Sequence, residues 1–191
     1  MTVAYEKLDS EELFHLAIKA SEKKDHDKAI SYLKESLALK ADANTQYILA
    51  AEHAEIGMYE RAIEEMQKAL LLNSNLWTAH FQKGLLYLTL NKKNEAIESW
   101  QPLLKLPESH YLYHFSKGLI SALEENATAA ISFLTEGIKI NKENIALNND
   151  MQRILENINS IPKTAPEATA DLKNKDTQHL FLSAYGNEPK Q

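Results

Sequence analysis

The chain has 191 residues, enough for one domain with a sizeable core. Its 44% hydrophobic and 25% charged residues are typical of a water-soluble globular protein. The net charge of -6, with basic and acidic residues interleaved along the chain, argues against nucleic acid as the main ligand, because a nucleic-acid binder needs a basic surface.

Cysteine is absent, which excludes disulfides, thiolate nucleophiles and Cys-type zinc sites and suits a reducing compartment. The N-terminal sequence carries Glu6 early and has no apolar stretch typical of a secretory signal. No apolar run approaches the roughly 20 residues needed to cross a bilayer. We therefore expect a cytoplasmic protein without membrane insertion.

The first predicted helix begins after Asp9, which is followed three residues later by Glu12, the spacing of a capping box. Further helical stretches follow along the chain, each ending at a short polar break. The stretches that begin each repeating unit are predicted at residues 11–23, 44–56, 78–90 and 111–123.

After each of these stretches, one apolar pattern recurs with spacings of 33, 34 and 34 residues. Each copy has an alanine with large apolar residues four and eight positions later, which places them on one helical face. The alanines are Ala29, Ala62, Ala96 and Ala130. The unit is therefore a helical hairpin, and hairpins must stack because one alone cannot bury its apolar face.

This pattern resembles the tetratricopeptide repeat (TPR). The second copy matches the family best, with Leu49-Ala50, Gly57, Tyr59, Ala62-Ile63, Met66 and Ala69-Leu70 at the expected positions. The resemblance implies an all-α fold, a right-handed superhelical solenoid of about four TPR-like helix hairpins. An amphipathic segment then predicts a C-terminal capping helix, with an apolar face of Leu147, Met151, Ile154, Leu155 and Ile158.

The predicted organisation is a lead-in at 1–9, repeats at about 10–42, 43–76, 77–110 and 111–144, a capping helix at 145–160 and a flexible tail at 161–191. Pro102 falls inside the second helix of the third repeat, where we expect an irregularity. The tail carries an apolar island at 179–185 that includes Leu180, Phe181 and Tyr185. We interpret the island as a docking motif or as a segment folded back onto the repeats.

In arrays of the TPR family, extended peptides usually bind to the concave surface formed by the first helix of each repeat. When the groove positions of the family are transferred to this chain by repeat register, each repeat has an aromatic residue there and an apolar residue four positions later. They are Phe14 and Ile18, Tyr47 and Ala51, Phe81 and Leu85, and Phe115 and Leu119. The alternative interpretation is that the same aromatics are buried packing residues between neighbouring helices.

Motifs of common enzymes are missing from the sequence: there is no Gly-rich phosphate loop, nucleophile elbow or His-Glu-x-x-His. We expect no catalytic activity and no cofactor. His110 and His114 are spaced i, i+4, which could hold a metal. However, His114 shares its repeat position with His80, a packing position, so no metal site is predicted.

The carboxylate clamp that TPR proteins use to grip chaperone tails is also absent. Its positions hold Phe14, Ile18, Ile48, Thr78 and Gln82 in place of Lys, Asn and Arg.

From the aromatic groove positions, the favoured function is an adaptor or chaperone-like module that binds an extended, partly hydrophobic peptide. The alternatives are a structural assembly subunit that forms a homo-oligomer, and an array inhibited by its own tail.

Overall fold

A computed structural model describes residues 8–160. The chain divides into two compact units, Met1–Ala79 and His80–Gln191. The first unit contains α1 (Ser10–Glu22), α2 (His26–Leu39), α3 (Ala43–Glu55) and α4 (Tyr59–Leu72). In this unit α1 packs on α2, α2 on α3, and α3 on α4.

The second unit begins within the first turn of α5 (Trp77–Thr89). It continues with α6 (Lys93–Trp100), a 3₁₀ helix (Gln101–Lys105), α7 (Tyr111–Leu123), α8 (Ala127–Ile140) and α9 (Ile145–Ser160). Here α7 packs on α8, and α8 packs on α9. The part of the chain that the structure describes has no strand, so the all-α prediction is confirmed.

The helix positions predicted from the sequence agree with the structure. The helices that open each repeat lie within one residue of their predicted ends. Asp9 caps α1 by accepting the amides of Glu11 and Glu12 at 2.9 and 2.8 Å, and Glu12 accepts the Asp9 amide in return at 2.9 Å. The predicted capping box is therefore present. The handedness of the superhelix and the number of its repeats stay predictions.

Pro102 causes the predicted irregularity. Because proline has no amide hydrogen, an α-helix cannot continue through it with a full set of hydrogen bonds. Helix α6 ends at Trp100, and the chain continues as the 3₁₀ helix with Pro102 near its start. Leu103 in this segment is fully buried, so the tighter helix still contributes to the core of the second unit.

The same left-handed turn joins the two helices of every pair. The residues with positive φ are Lys24, Gly57, Asn91 and Glu125, which lie at the spacing of the repeat alanines. The left-handed conformation costs an ordinary residue about 1 kcal/mol, and only the second pair has glycine there. The recurrence of this turn at one register shows that the hairpins share their geometry.

Two buried carboxylates tie the helices of the first unit together. Glu52 on α3 accepts hydrogen bonds from Ser21 on α1 and from His26 Nδ1 on α2, the latter at 2.8 Å. Glu65 on α4 accepts a hydrogen bond from Gln46 on α3. Since buried charges are costly unless they are paired, these contacts fix how α1, α2, α3 and α4 pack.

Glu65 has two further partners on its own helix. Arg61 Nη2 lies 2.8 Å from one carboxylate oxygen, and Lys68 Nζ lies 2.9 Å from the other. Together with Gln46, three side chains therefore pair with this buried acid. Hydrogen bonds to an ionised carboxylate are stronger than those between neutral groups.

A large buried side chain, Trp100, anchors the core of the second unit. Its indole Nε1 donates to the Phe81 carbonyl at 3.0 Å, and the two rings stack with centroids 6.2 Å apart. Gly84 makes room for the indole: a Cβ atom on this residue would lie 2.1 Å from Nε1. The third repeat therefore pairs its largest side chain with its smallest.

We expect Gly84→Ala to destabilise the protein although alanine is the better helix former. Overpacking a filled core costs about 1–3 kcal/mol, whereas the gain in helix propensity is about 1 kcal/mol. Urea denaturation should show a lower free energy of unfolding than the wild type, and the exposed Thr135→Ala on α8 serves as the control. A Gly84→Ala protein as stable as the wild type would contradict the tight contact with Trp100.

A second prediction concerns the pH dependence of stability through α9. Burial raises the pKa of Asp150 to about 6, and the Arg153 guanidinium, 3.2 Å from Oδ1, only partly offsets this effect. The folded state therefore binds a proton between pH 3.8 and about 6 that the unfolded state has released. Stability falls as the pH rises through this window.

Asp150→Asn should accordingly raise the free energy of unfolding at pH 7.5 by about 1–3 kcal/mol and change it little near pH 4. Thermal denaturation at the two pH values measures this difference. An equal effect of the substitution at both pH values would show that the carboxylate is not destabilised by burial.

Candidate functional site

The structure separates the four predicted groove aromatics into two pairs. Phe14 on α1 and Tyr47 on α3 are half-buried in the first unit. Phe81 on α5 and Phe115 on α7 are buried in the second unit, with exposed fractions of 1% and 0%. Equivalent register positions therefore have different surroundings in the two units.

Phe81 and Phe115 belong to the aromatic core around Trp100. Their ring centroids lie 6.3 Å apart. Gly137 on α8 makes room for Phe115, since a Cβ atom on Gly137 would lie 2.5 Å from the phenyl ring. Gly137 occupies the repeat position that holds Ser36 and Ala69 in the first unit. The missing Cβ atom of Gly137 thus leaves room for the Phe115 ring in the core.

The apolar residues one helical turn after these aromatics are buried as well. Leu85 and Leu119 have exposed fractions of 3% and 0%. The prediction that Phe81, Leu85, Phe115 and Leu119 line an exposed groove is corrected here, because all four are core residues of the second unit. For this pair of repeats the packing interpretation of the aromatics applies.

The predicted positions of the first unit keep part of their surface in contact with solvent. Ile18 and Ala51 are half-buried, like Phe14 and Tyr47. Phe14 packs at the edge of a core cluster formed by Ala17, Ile30, Leu33 and Leu49. We call Phe14, Ile18, Tyr47 and Ala51 the α1–α3 face. This face is the part of the predicted groove that a ligand can reach without disturbing a core.

An open cleft of about 410 Å³ adjoins the α1–α3 face. Phe14 forms its aromatic wall, and the other lining residues come from the first turns of α1 and α3 and the segments before them. These residues are Asp9, Ser10, Glu11, Lys40, Asp42, Asn44 and Thr45. The sequence pattern did not single out this cleft, although the caps Asp9 and Asp42 precede equivalent helices.

Carboxylates dominate the charge of the cleft. Asp9 and Asp42 each cap a helix through the Oδ1 atom, and the backbone amide of Thr45 holds the pKa of Asp42 below its usual value. The Glu11 side chain is 85% exposed, with one oxygen 3.9 Å from His15 Nε2. Lys40 supplies the one positive charge among the lining residues. The cleft is therefore net acidic.

His110 and His114 have structural roles. His110 Nδ1 accepts the Leu112 amide at 3.2 Å and so caps α7, and burial lowers the pKa of this imidazole, which favours the neutral form that can accept. His114 Nε2 lies 2.6 Å from the Glu108 carbonyl and donates to it. Within residues 8–160 no group of three or more His, Asp or Glu side chains has an arrangement suited to a metal.

The tail residues Leu180, Phe181 and Tyr185 lie outside the described residues, as does most of the lead-in. The interpretation of the tail as a docking motif or a folded-back segment therefore stays a prediction. Among the described helices, none has the length and apolar character needed to span a membrane.

The burial difference between the two pairs of aromatics gives a direct stability test. Phe115→Ala should lower the free energy of unfolding by about 3–5 kcal/mol, because it empties a filled core. Tyr47→Ala should cost about 1 kcal/mol, since part of its ring already contacts water. Urea denaturation of the two variants measures both values. Equal losses would mean that Tyr47 is as much a core residue as Phe115.

Comparison with known protein families identifies two of the helical hairpins as tetratricopeptide repeats. The sequence model of the tetratricopeptide repeat matches residues 43–76 and 78–108. These ranges correspond to α3 with α4, and to α5 through the 3₁₀ helix. No curated protein sequence matches the chain significantly.

Solved structures with similar folds cover most of the chain. MamA residues 41 to the end, from Desulfovibrio magneticus RS-1, is 18% identical with a TM-score of 0.61, and the match covers 92% of this chain and 90% of that one. Another crystal structure of MamA is 23% identical, with a TM-score of 0.59 and coverage of 69% and 77%.

A third similar structure is YrrB, described as a TPR protein with an unusual peptide-binding site. It is 19% identical with a TM-score of 0.56, and the match covers 71% of each chain. At these identities the likeness is one of fold. Together with the two matched repeats, it shows that the chain carries tetratricopeptide repeats and has the fold of TPR proteins.

Proposed function

We propose that the chain is a non-enzymatic protein-interaction module that binds an extended, partly hydrophobic peptide on the α1–α3 face. The observation that carries the proposal is the exposure of this face. Phe14, Ile18, Tyr47 and Ala51 remain half-buried, whereas the equivalent residues of the second unit are core. Aromatic and aliphatic side chains that stay in contact with water at recurrent positions are typical of binding surfaces.

Two further observations support this function. TPR repeats generally serve as interaction modules without catalytic activity, and two such repeats are matched in this chain. YrrB, with the same fold, is described as having a peptide-binding site. The cysteine-free composition suits the cytoplasm, where we place the module as an adaptor or a chaperone-like protein.

A second candidate function is that of an assembly subunit. Exposed leucines at the C-terminal ends of α2 and α4 favour it: Leu39, Leu71 and Leu72 are 61%, 83% and 51% exposed. Large apolar side chains at such exposure support contacts with another chain, including a second copy. A mass that rises with protein concentration in sedimentation equilibrium, and that Leu71→Gln abolishes, would favour assembly over peptide binding.

The binding proposal predicts that Ala51→Glu prevents capture of a partner. The substitution places a charge on the α1–α3 face and keeps a good helix former, so the variant should fold. The full-length chain is used to capture proteins from its native lysate, which are quantified by mass spectrometry. Gln67→Glu on the exposed side of α4 adds the same charge and is the matched control.

We expect at least one protein that the wild type and Gln67→Glu capture equally and that folded Ala51→Glu loses by about tenfold or more. Circular dichroism verifies folding. If folded Ala51→Glu captures the same proteins in the same amounts, the α1–α3 face is not the binding surface.

A further inference from the structure

We infer that the peptide held on the α1–α3 face is cationic, with a Lys or Arg side chain seated in the cleft between the first turns of α1 and α3, next to an apolar side chain on the face. This inference rests on the proposed function and adds the chemical class of the ligand. It follows from the continuity of the apolar face with an acidic cleft.

Phe14 connects the apolar face with the cleft. Phe14 packs against the core cluster of α1, α2 and α3, and it also lines the cleft. A residue that contacts Phe14 from the solvent side therefore lies beside the cleft. In an extended peptide, side chains two positions apart point to the same side, so a basic residue two positions from an apolar residue on the face can enter the cleft.

The charge of the cleft sets the sign of the group that it receives. Asp9, Glu11 and Asp42 face a single ammonium group, that of Lys40. The first and last of these carboxylates are held in place by their caps, so they lose little conformational freedom when a ligand binds. A guanidinium or ammonium group can form charge-assisted hydrogen bonds with such oxygens, whereas a carboxylate would be repelled.

The aromatic wall also favours a cation. A guanidinium or ammonium group placed over the face of Phe14 gains a cation–π interaction, and Arg can use its planar group for both the ring and the carboxylates. The volume of about 410 Å³ is ample for one long basic side chain with water around it. An acidic peptide would find Lys40 alone as a partner.

Direct binding of defined peptides tests this inference on the full-length chain. The probes are fluorescein-labelled peptides of about nine residues in which every second residue is Ser and the positions between alternate Leu with Arg, with Glu or with Ser, so that both side chains point to the same side. Their dissociation constants are measured by fluorescence anisotropy at about 50 and 300 mM salt. The variants are Glu11→Lys in the cleft, Ala51→Glu on the α1–α3 face and, as a control with the same change in net charge as Glu11→Lys, Glu60→Lys on exposed α4. Asp9 and Asp42 stay unchanged because they cap helices.

We expect the Leu/Arg peptide to bind at least about tenfold more tightly than the Leu/Glu and Leu/Ser peptides at low salt, with a smaller ratio at high salt. Glu11→Lys should weaken Leu/Arg binding by about tenfold, and Glu60→Lys should leave it within about twofold.

Three results would overturn the inference. If both Lys variants weaken binding of the Leu/Arg peptide equally, the affinity depends only on the net charge of the protein. Equal affinity for all three peptides, lost in Ala51→Glu, would leave peptide binding on the α1–α3 face intact but show that the cleft does not select a cation. Absence of binding by the Leu/Arg peptide would also refute it, and the proposed function would then rest on the capture experiment with Ala51→Glu.

Discussion

The contact between Trp100 and Gly84 is the constraint on which the second unit depends. The indole fills the space that a glycine leaves open on the facing helix and donates to the Phe81 carbonyl. Phe81 stacks on the indole and brings Phe115 into the same cluster. Because glycines at Gly84 and Gly137 allow this depth of packing, aromatics at the groove register become core residues there.

In the first unit, buried charged side chains hold neighbouring helices together. Buried Glu52 and Glu65 hold neighbouring helices through Ser21, His26 and Gln46. Polar contacts of this kind need a defined geometry. In the same unit Phe14 and Tyr47 stay half-buried at the groove register, and they belong to the surface that we propose for peptide binding.

The fold could be read from the sequence because its signals are local and repeated. The alanine period, the capping box at Asp9 and the break at Pro102 each depend on a few neighbouring residues, and the structure has all three features. The left-handed turns could not be foreseen in the same way. Only Gly57 marks one of them, and the others use Lys24, Asn91 and Glu125.

The candidate site was harder to predict because burial depends on the partner helix. Register gave four equivalent aromatics, but their exposure is decided by residues 19 or more positions away, as for Phe81 with Trp100. The sequence shows that Gly137 is small, yet its effect on Phe115 appears only when α7 and α8 are packed together. The acidic cleft likewise needs the spatial neighbourhood of two helix starts that lie far apart in the chain.

Hydroxyl-radical footprinting of the native full-length chain tests the separation of core and surface aromatics most directly. Mass spectrometry reports the oxidation rate of each aromatic side chain. Phe14 and Tyr47 should be oxidised several-fold faster than Phe81 and Phe115, after correction for the intrinsic reactivities of Phe and Tyr. Similar protection of all four residues would contradict a peptide-binding face on α1 and α3, and similar oxidation would contradict the aromatic core around Trp100.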